Sequence, residues 1–291
     1  MRTKLFTYAM MISAGLITTG CNKTASEGEK NPAFAAIDAK YLESGGDGSN
    51  WAAPGFSSSE QRFSPLDKIN NSNVGELGIA WFADLPDARG HESTPVVVDG
   101  KMFVTGPWSK VFAFDAKTGK PLWTFDPGVD QARGVKACCD VVNRGVAFWK
   151  GRLFLGTIDG RLISLDAASG KTLWSQQTLD KAGNGTITGF PRIVKDKVVI
   201  GFGGAEFGVR GYVTAYDAAT GDQAWRFYTT PNPDGVADGA ASDSILKKAY
   251  ATWSKDNKPG DWHESGGGGT VWDAIVYDAE LDQLYLGVGN G

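Results

Sequence analysis

Cys138 and Cys139 are neighbours in a chain that has only three cysteines. Neighbouring Cα atoms across a trans peptide lie about 3.8 Å apart, below the ~4.4 Å usually needed for a disulfide, so bonding this pair closes a strained eight-membered ring. Two states are open on the residues alone: two small apolar free thiols, or a ring kept oxidised for a purpose. The start of the chain bears on the choice. Arg2 and Lys4 form a short basic beginning, residues 5–19 are an apolar run, and Gly20-Cys21 supplies the small residue and thiol of a lipoprotein cleavage site. That run is too short for a membrane-spanning helix. The expectation is an exported, periplasmic chain with a signal peptide over residues 1–20, a lipid on Cys21 and a polar tether over 21–40. Export brings oxidising conditions, and a lipidated Cys21 leaves Cys138 and Cys139 only each other as partners.

Few other residue patterns offer chemistry of their own. His91 and His263 are isolated from one another, too few for a histidine-based metal site, and are expected to be exposed or hydrogen-bonded structural residues. A net charge of −4 gives no basic face, so a nucleic-acid partner is excluded. Residues 201–204 (GFGG) lack the strand-helix-strand surroundings of a dinucleotide loop, and residues 266–269 (GGGG) lack the Lys-Ser/Thr of a phosphate loop. His263-Glu264 has no second histidine four residues on, and no C-x-x-C-H haem attachment is present.

The elements that must position any site are written as a repeat. Residues 113–123 (AFDAKTGKPLW), 164–174 (SLDAASGKTLW) and 215–225 (AYDAATGDQAW) superimpose, with Asp115, Asp166 and Asp217 and then Trp123, Trp174 and Trp225 each stepping by 51. Each unit reads as a strand, a turn in which Asp bonds backbone amides while Gly turns left-handed, and a second strand ending in Trp. A further short apolar strand ending in glycine recurs at Gly106, Gly156, Gly201 and Gly287. With no convincing helical period past the signal, the class is all-β, and units of about 50 residues with several strands each fit propeller blades. The widest spacing between those glycines places an insertion over about residues 230–269. Three units and the start of a fourth do not close a ring, so the chain is expected to be a truncated N-terminal part of a propeller.

Three segments carry a family resemblance: residues 137–145 (ACCDVVNRG), 203–212 (GGAEFGVRGY) and 269–273 (GTVWD). Together with the tryptophan-docking repeats, they resemble the pyrroloquinoline quinone (PQQ)-dependent alcohol dehydrogenases, from about Trp51 onward. The resemblance implies the first half of an eight-bladed propeller with the quinone on its axis, over residues 41–291. PQQ is a planar, tricarboxylated quinone, which calls for flat walls, amide and hydroxyl donors, and a cation. By the resemblance, Trp272 is the floor under the ring and Cys138 and Cys139, as a vicinal disulfide, the lid above it. Arg144 stands beside the quinone oxygens, where a fixed positive fork favours charge on the reduced cofactor. Glu92 is an acidic hydrogen-bond partner, Thr188 and Thr270 supply hydroxyls, and Gly203, Gly204 and Ala205 let the backbone approach a carboxylate. Glu206 and Asn290 match calcium ligands, hard oxygens suited to a hard cation that also acts as Lewis acid; a lanthanide is equally open.

The implied function is oxidation of a small primary or secondary alcohol to an aldehyde or ketone on the periplasmic side, with electrons leaving to a cytochrome c or a membrane quinone. The family's general-base aspartate falls past the position of Asn290, and Asp273, expected on a strand and facing away from Trp272, is not a substitute. No catalytic base is therefore named. Two other readings compete: a non-catalytic propeller scaffold lipoprotein of the outer-membrane assembly type, and a quinoprotein sugar dehydrogenase. Cys138, Cys139, Arg144, Glu206 and Trp272 together argue against the scaffold, which has no evident need of them.

Overall fold

The computed structural model describes Phe34 and residues 36–253 and 261–290. Strands β1 (Val96–Val98), β2 (Lys101–Thr105), β3 (Val111–Asp115) and β4 (Pro121–Phe125) form the first sheet. A second follows from β5 (Ala147–Trp149), β6 (Arg152–Gly156), β7 (Arg161–Asp166) and β8 (Thr172–Gln177). The third comprises β9 (Arg192–Val194), β10 (Lys197–Ile200), β11 (Tyr212–Asp217) and β12 (Gln223–Tyr228), and a pair, β13 (Ile275–Asp278) and β14 (Gln283–Leu286), begins a fourth unit. Strands pair antiparallel in chain order within each sheet, so every unit is an up-and-down meander. The expected hairpins and glycine-ended strands fall on these elements, and the register slips at the same place in each unit, after Ala113, Ser164 and Ala215.

The repeat works as a docking rule between successive sheets. Asp115 Oδ1 accepts from the backbone N–H and the hydroxyl of Thr118, and Asp166 Oδ1 does the same for Ser169, which shapes the turn. Those bonds hold the Asp115 carboxyl below its ordinary range. Gly119, Gly170 and Gly221 then turn left-handed, at φ of 72°, 71° and 80°. Each lies flat under the indole of the preceding unit: a Cβ would stand 2.6 Å from Trp81 at Gly119, 2.6 Å from Trp123 at Gly170 and 2.8 Å from Trp174 at Gly221. Each indole Nε1 also donates into the turn it covers, Trp81 to Ala116 O (3.0 Å), Trp123 to Ala167 O (3.2 Å) and Trp174 to Ala218 O (3.3 Å). Trp81 is a docking residue the repeat did not reveal, because no Asp-turn precedes it at the regular spacing. The main core lies between the sheets, with Phe103, Phe148, Phe154, Leu153 and Leu165 fully buried.

Two expectations need correction. The stretch read as a tether is folded at its C-terminal end: Phe34 and Ile37 are buried in the main core, and α1 (Ala39–Ser44) starts where Asp38 accepts from Tyr41 N. The all-β class stands, with the inserted segment adding the short helices α2 (Asp243–Ala249) and α3 (Trp262–Ser265). Two turns or fewer are too short to show a 3.6-residue period against loop sequence. Finally, residues 270–274 are not strand, so the two neighbours Trp272 and Asp273 diverge because of an irregular backbone rather than a pleat. The signal peptide and Cys21 lie outside the described residues. No described helix is long and apolar enough to cross a membrane.

Candidate cofactor site

Non-repeating segments at the ends of the sheets converge on one open cleft of about 210 Å³. Its lining comes from Cys138, Cys139 and Arg144 before β5, Thr186 and Thr188 before β9, residues 203–206 after β10, Thr270 and Trp272 before β13, and Gly289 and Asn290 after β14. All the sequence-predicted site residues within the described chain line it except Glu92. That carboxylate stands behind the wall and reaches it through Arg144, whose Nη2 is 2.7 Å from Glu92 Oε2. Arg144 Nη1 donates to Thr188 Oγ1 at 2.8 Å, and its guanidinium lies 5.2 Å from the Trp272 ring centroid. The cation is thus held between a carboxylate, a hydroxyl and an indole face, with its planar fork fixed.

Backbone proximity explains the glycines of the cleft. Gly203 pairs with Thr186 through both N–H to O bonds, 2.8 and 3.1 Å, and its missing Cβ would sit 3.4 Å from the Trp272 Cβ. Gly189, next to Thr188, admits the Trp272 carbonyl, which a Cβ there would meet at 2.2 Å. Gly204 turns left-handed at φ 119° and opens the short helix that carries Glu206. Trp272 remains 46% exposed, so an indole face of this size is turned to the cleft rather than spent on the core. Its neighbour Asp273 points away, 3.7 Å from Arg192, which also binds Glu60 at 2.6 Å.

Glu206 and Asn290 meet although 84 positions separate them: Asn290 Nδ2 donates to Glu206 Oε1 at 2.7 Å. Among the described residues no group of three or more His, Cys, Asp or Glu is gathered for a metal, so these two oxygen-bearing side chains are a partial donor set. A hard cation would use Glu206 oxygens and the Asn290 Oδ1.

Cys138 and Cys139 are exposed to the cleft, with the sulfurs 2.6 Å apart. In the reduced state the Cys139 thiol, with burial second, pushes the Cys138 pKa up to about 11. The segment is pinned from behind by Asp140, which is left-handed at φ 72° and binds the Arg89 guanidinium and the Gly90 N–H. That arginine holds the Asp140 carboxyl down at about 2.

Residues 51–291 match the family model for the PQQ glucose/ethanol/alcohol dehydrogenase beta-propeller domain. The chain belongs to this family. It is 54% identical over 256 residues to the dehydrogenase subunit of a quinone alcohol dehydrogenase from Gluconobacter oxydans, covering 86% of this chain and 33% of that protein. A quinohemoprotein alcohol dehydrogenase of Comamonas testosteroni is 51% identical over 83% of this chain and 34% of its own length. The solved structure of the Comamonas enzyme superimposes with a TM-score of 0.84 at 48% identity, over 90% of this chain and 38% of that one. A europium-containing methanol dehydrogenase superimposes with a TM-score of 0.75 at 35% identity, over 87% and 44%. The chain spans about a third of the length of the curated relatives it matches.

Several cleft features were not legible in the PQQ-family motifs alone. Thr186 was missed, although its place two residues before Thr188 on an extended segment puts both on one face. Arg89 gave no signal, because its partner Asp140 is 51 residues away. His91 and His263 are, as expected, hydrogen-bonded, to Asp87 O and to Asp261.

Proposed function

We propose that the cleft is one wall of a PQQ- and cation-binding site that serves oxidation of a small alcohol to an aldehyde or ketone. The observation that carries this is convergence: an exposed indole, a sulfur pair, a buttressed arginine, three hydroxyls, three glycines and a carboxylate-amide pair, distant in sequence, share one cleft. The donor set fits a planar polyanion. Trp272 and the cysteines offer flat apolar surface, Arg144 offers fixed positive charge, and residues 203–205 offer backbone free of side-chain bulk. Gly203 is the clearest case, since a methyl group would stand against Trp272 and narrow the cleft.

When bound, PQQ would supply the two-electron oxidant, and a metal cation held by Glu206 and Asn290 a Lewis acid. This chain's residues position and polarise. Arg144 is aligned by Glu92 and Thr188, so its charge costs little reorganisation when negative charge grows nearby. Trp272 stacks, and Thr186, Thr188 and Thr270 donate or accept hydrogen bonds at the rim. Glu206 and Asn290 hold the cation, proposed as calcium with a lanthanide as the alternative. Asp273 does not serve as base, because it is turned to Arg192. The proposed setting is the periplasm, with a cytochrome c or a membrane quinone as electron acceptor; the lipid on Cys21 rests on sequence alone.

Protein loaded with PQQ and Ca²⁺ and assayed for dye reduction over a panel of alcohols tests this reading. Alcohol-dependent reduction that disappears when the cation is chelated supports it; no saturable PQQ binding, or binding indifferent to chelation of the cation, contradicts it.

A further inference from the structure

The cysteine segment is also fastened through the helix that precedes it. A short 3-10 helix, Gln131–Lys136, precedes it, and two cations of that helix end on carbonyl oxygens rather than on carboxylates. Arg133 Nη1 donates to Lys181 O (3.0 Å) and Gly183 O (3.1 Å), and Nη2 donates to Gly185 O (3.0 Å). Lys136 Nζ donates to Gly183 O (2.9 Å) and Ala182 O (3.3 Å). Five bonds therefore gather the carbonyls of one loop, residues 181–185. Arg133 Nε is buried with no hydrogen-bond partner among the described residues, so the guanidinium is committed to this loop at some desolvation cost.

The same loop touches the cation-bearing wall. Asn184 Nδ2 donates to Phe207 O at 2.6 Å, one residue past Glu206. A Cβ at Gly204 would stand 3.1 Å from Asn184 O, and the loop runs directly into the Thr186 and Gly203 pair. Its own turn is closed by Asp180, which accepts from Ala182 N through its side chain and from Gly183 N through its carbonyl. On the far side of the helix, Gly134 packs under Trp108, itself left-handed at φ 62° and bonded to Val141 O through its N–H.

We propose that Arg133 is a positioning residue: with Lys136 it clamps the Cys138 and Cys139 segment to the 181–185 loop, so that the sulfur lid and the wall bearing Glu206 move as one body. Charged donors on several carbonyls make stronger ties than neutral bonds, and here they join segments about 50 positions apart in sequence. The spacing between lid and wall, and so the thickness of planar ligand admitted, is then set by Arg133 and not by the cysteines alone. The lid's service to a cofactor rests on the function proposed above; the clamp does not.

Hydrogen exchange read by mass spectrometry on the full chain, without cofactor, tests the clamp. Arg133→Met is expected to speed exchange about tenfold in peptides covering both 131–141 and 180–187, with the β6 and β7 amides unchanged. Arg133→Lys, which keeps a charge able to reach a carbonyl, should restore part of the protection in both. Acceleration in one segment alone, or in neither, overturns the proposal. If Arg133→Met unfolds the chain, the wild type decides instead: PQQ with Ca²⁺ should protect the two segments together, and protection of the lid alone overturns the clamp. Absence of any PQQ absorbance change would count against the cofactor reading, and the protein without cofactor, compared with Arg133→Lys, would still decide the clamp.

Discussion

The three sheets and the cleft at their ends are built on opposite terms. In the sheets the same residue types recur at the same offset, and Trp123 and Trp174 each do one job: cover a glycine and bond into the next turn. In the cleft a threonine recurs, at Thr188 and Thr270, but the residues that set each wall differ. Positions that the meander places in corresponding loops hold cysteines before β5, threonines before β9 and an indole before β13. The sheets bury their large side chains, whereas the cleft leaves Trp272 nearly half exposed and holds the Arg144 guanidinium between Glu92 and Thr188. Repetition supplies stability, and the departures from it supply chemistry.

That contrast can be broken first at the docking tryptophans. Trp174→Ala should cost about 3 kcal/mol of unfolding free energy, because it empties the contact over Gly221 and orphans the Ala218 carbonyl. Equilibrium urea denaturation reads this, and a loss below about 1 kcal/mol would mean the repeat is decorative. Gly170→Ala should cost about 2 kcal/mol by the same measurement, since a methyl would meet Trp123 on a left-handed backbone. Trp272→Ala sits on the other side of the contrast. It should shift the unfolding midpoint little while weakening PQQ about tenfold in an absorbance titration, the loss expected for one stacked aromatic face. A large stability loss there would erase the distinction.

Two pH effects are smaller and sharpen the cleft alone. The Asp140 carboxyl is depressed to about 2 by Arg89, below the ordinary value of 3.8. A depressed carboxylate contributes stability that is fully present above the unfolded value and is lost as pH falls through the folded one. Exchange protection in residues 137–142 should therefore hold down to about pH 4 and fade toward pH 2, and Asp140→Asn should remove that dependence. Conversely, the raised Cys138 thiol should make alkylation of Cys138 itself, read by peptide mass spectrometry after reduction, slow near neutrality and faster as pH approaches 11.

Sheets of this kind are legible because their instructions are local and repeated. Asp115, Gly119 and Trp123 lie within nine residues, so turn, left-handed glycine and docking strand read directly from spacing. Trp81 escaped because it docks without its own turn. Helix α2 and the folding of Phe34 and Ile37 escaped because two short helical turns and an apolar pair in a polar stretch carry no period. Site residues were nameable only through motif resemblance, since Glu206 and Asn290 are brought together by the fold from 84 positions apart. Arg89 and Arg133 were invisible for a related reason. Arginine pairing with a distant loop leaves no local pattern, and carbonyl partners leave none at all.

The central claim is that these non-repeating segments form a cation-dependent site for PQQ. Titration of the full chain with PQQ, followed by cofactor absorbance with and without Ca²⁺, tests it most directly, with Glu206→Gln as the comparison. Saturable binding that strengthens with Ca²⁺ in the wild type, and loses that strengthening in Glu206→Gln, is the predicted result. Binding that is absent, or that is indifferent to both the cation and Glu206, would contradict it.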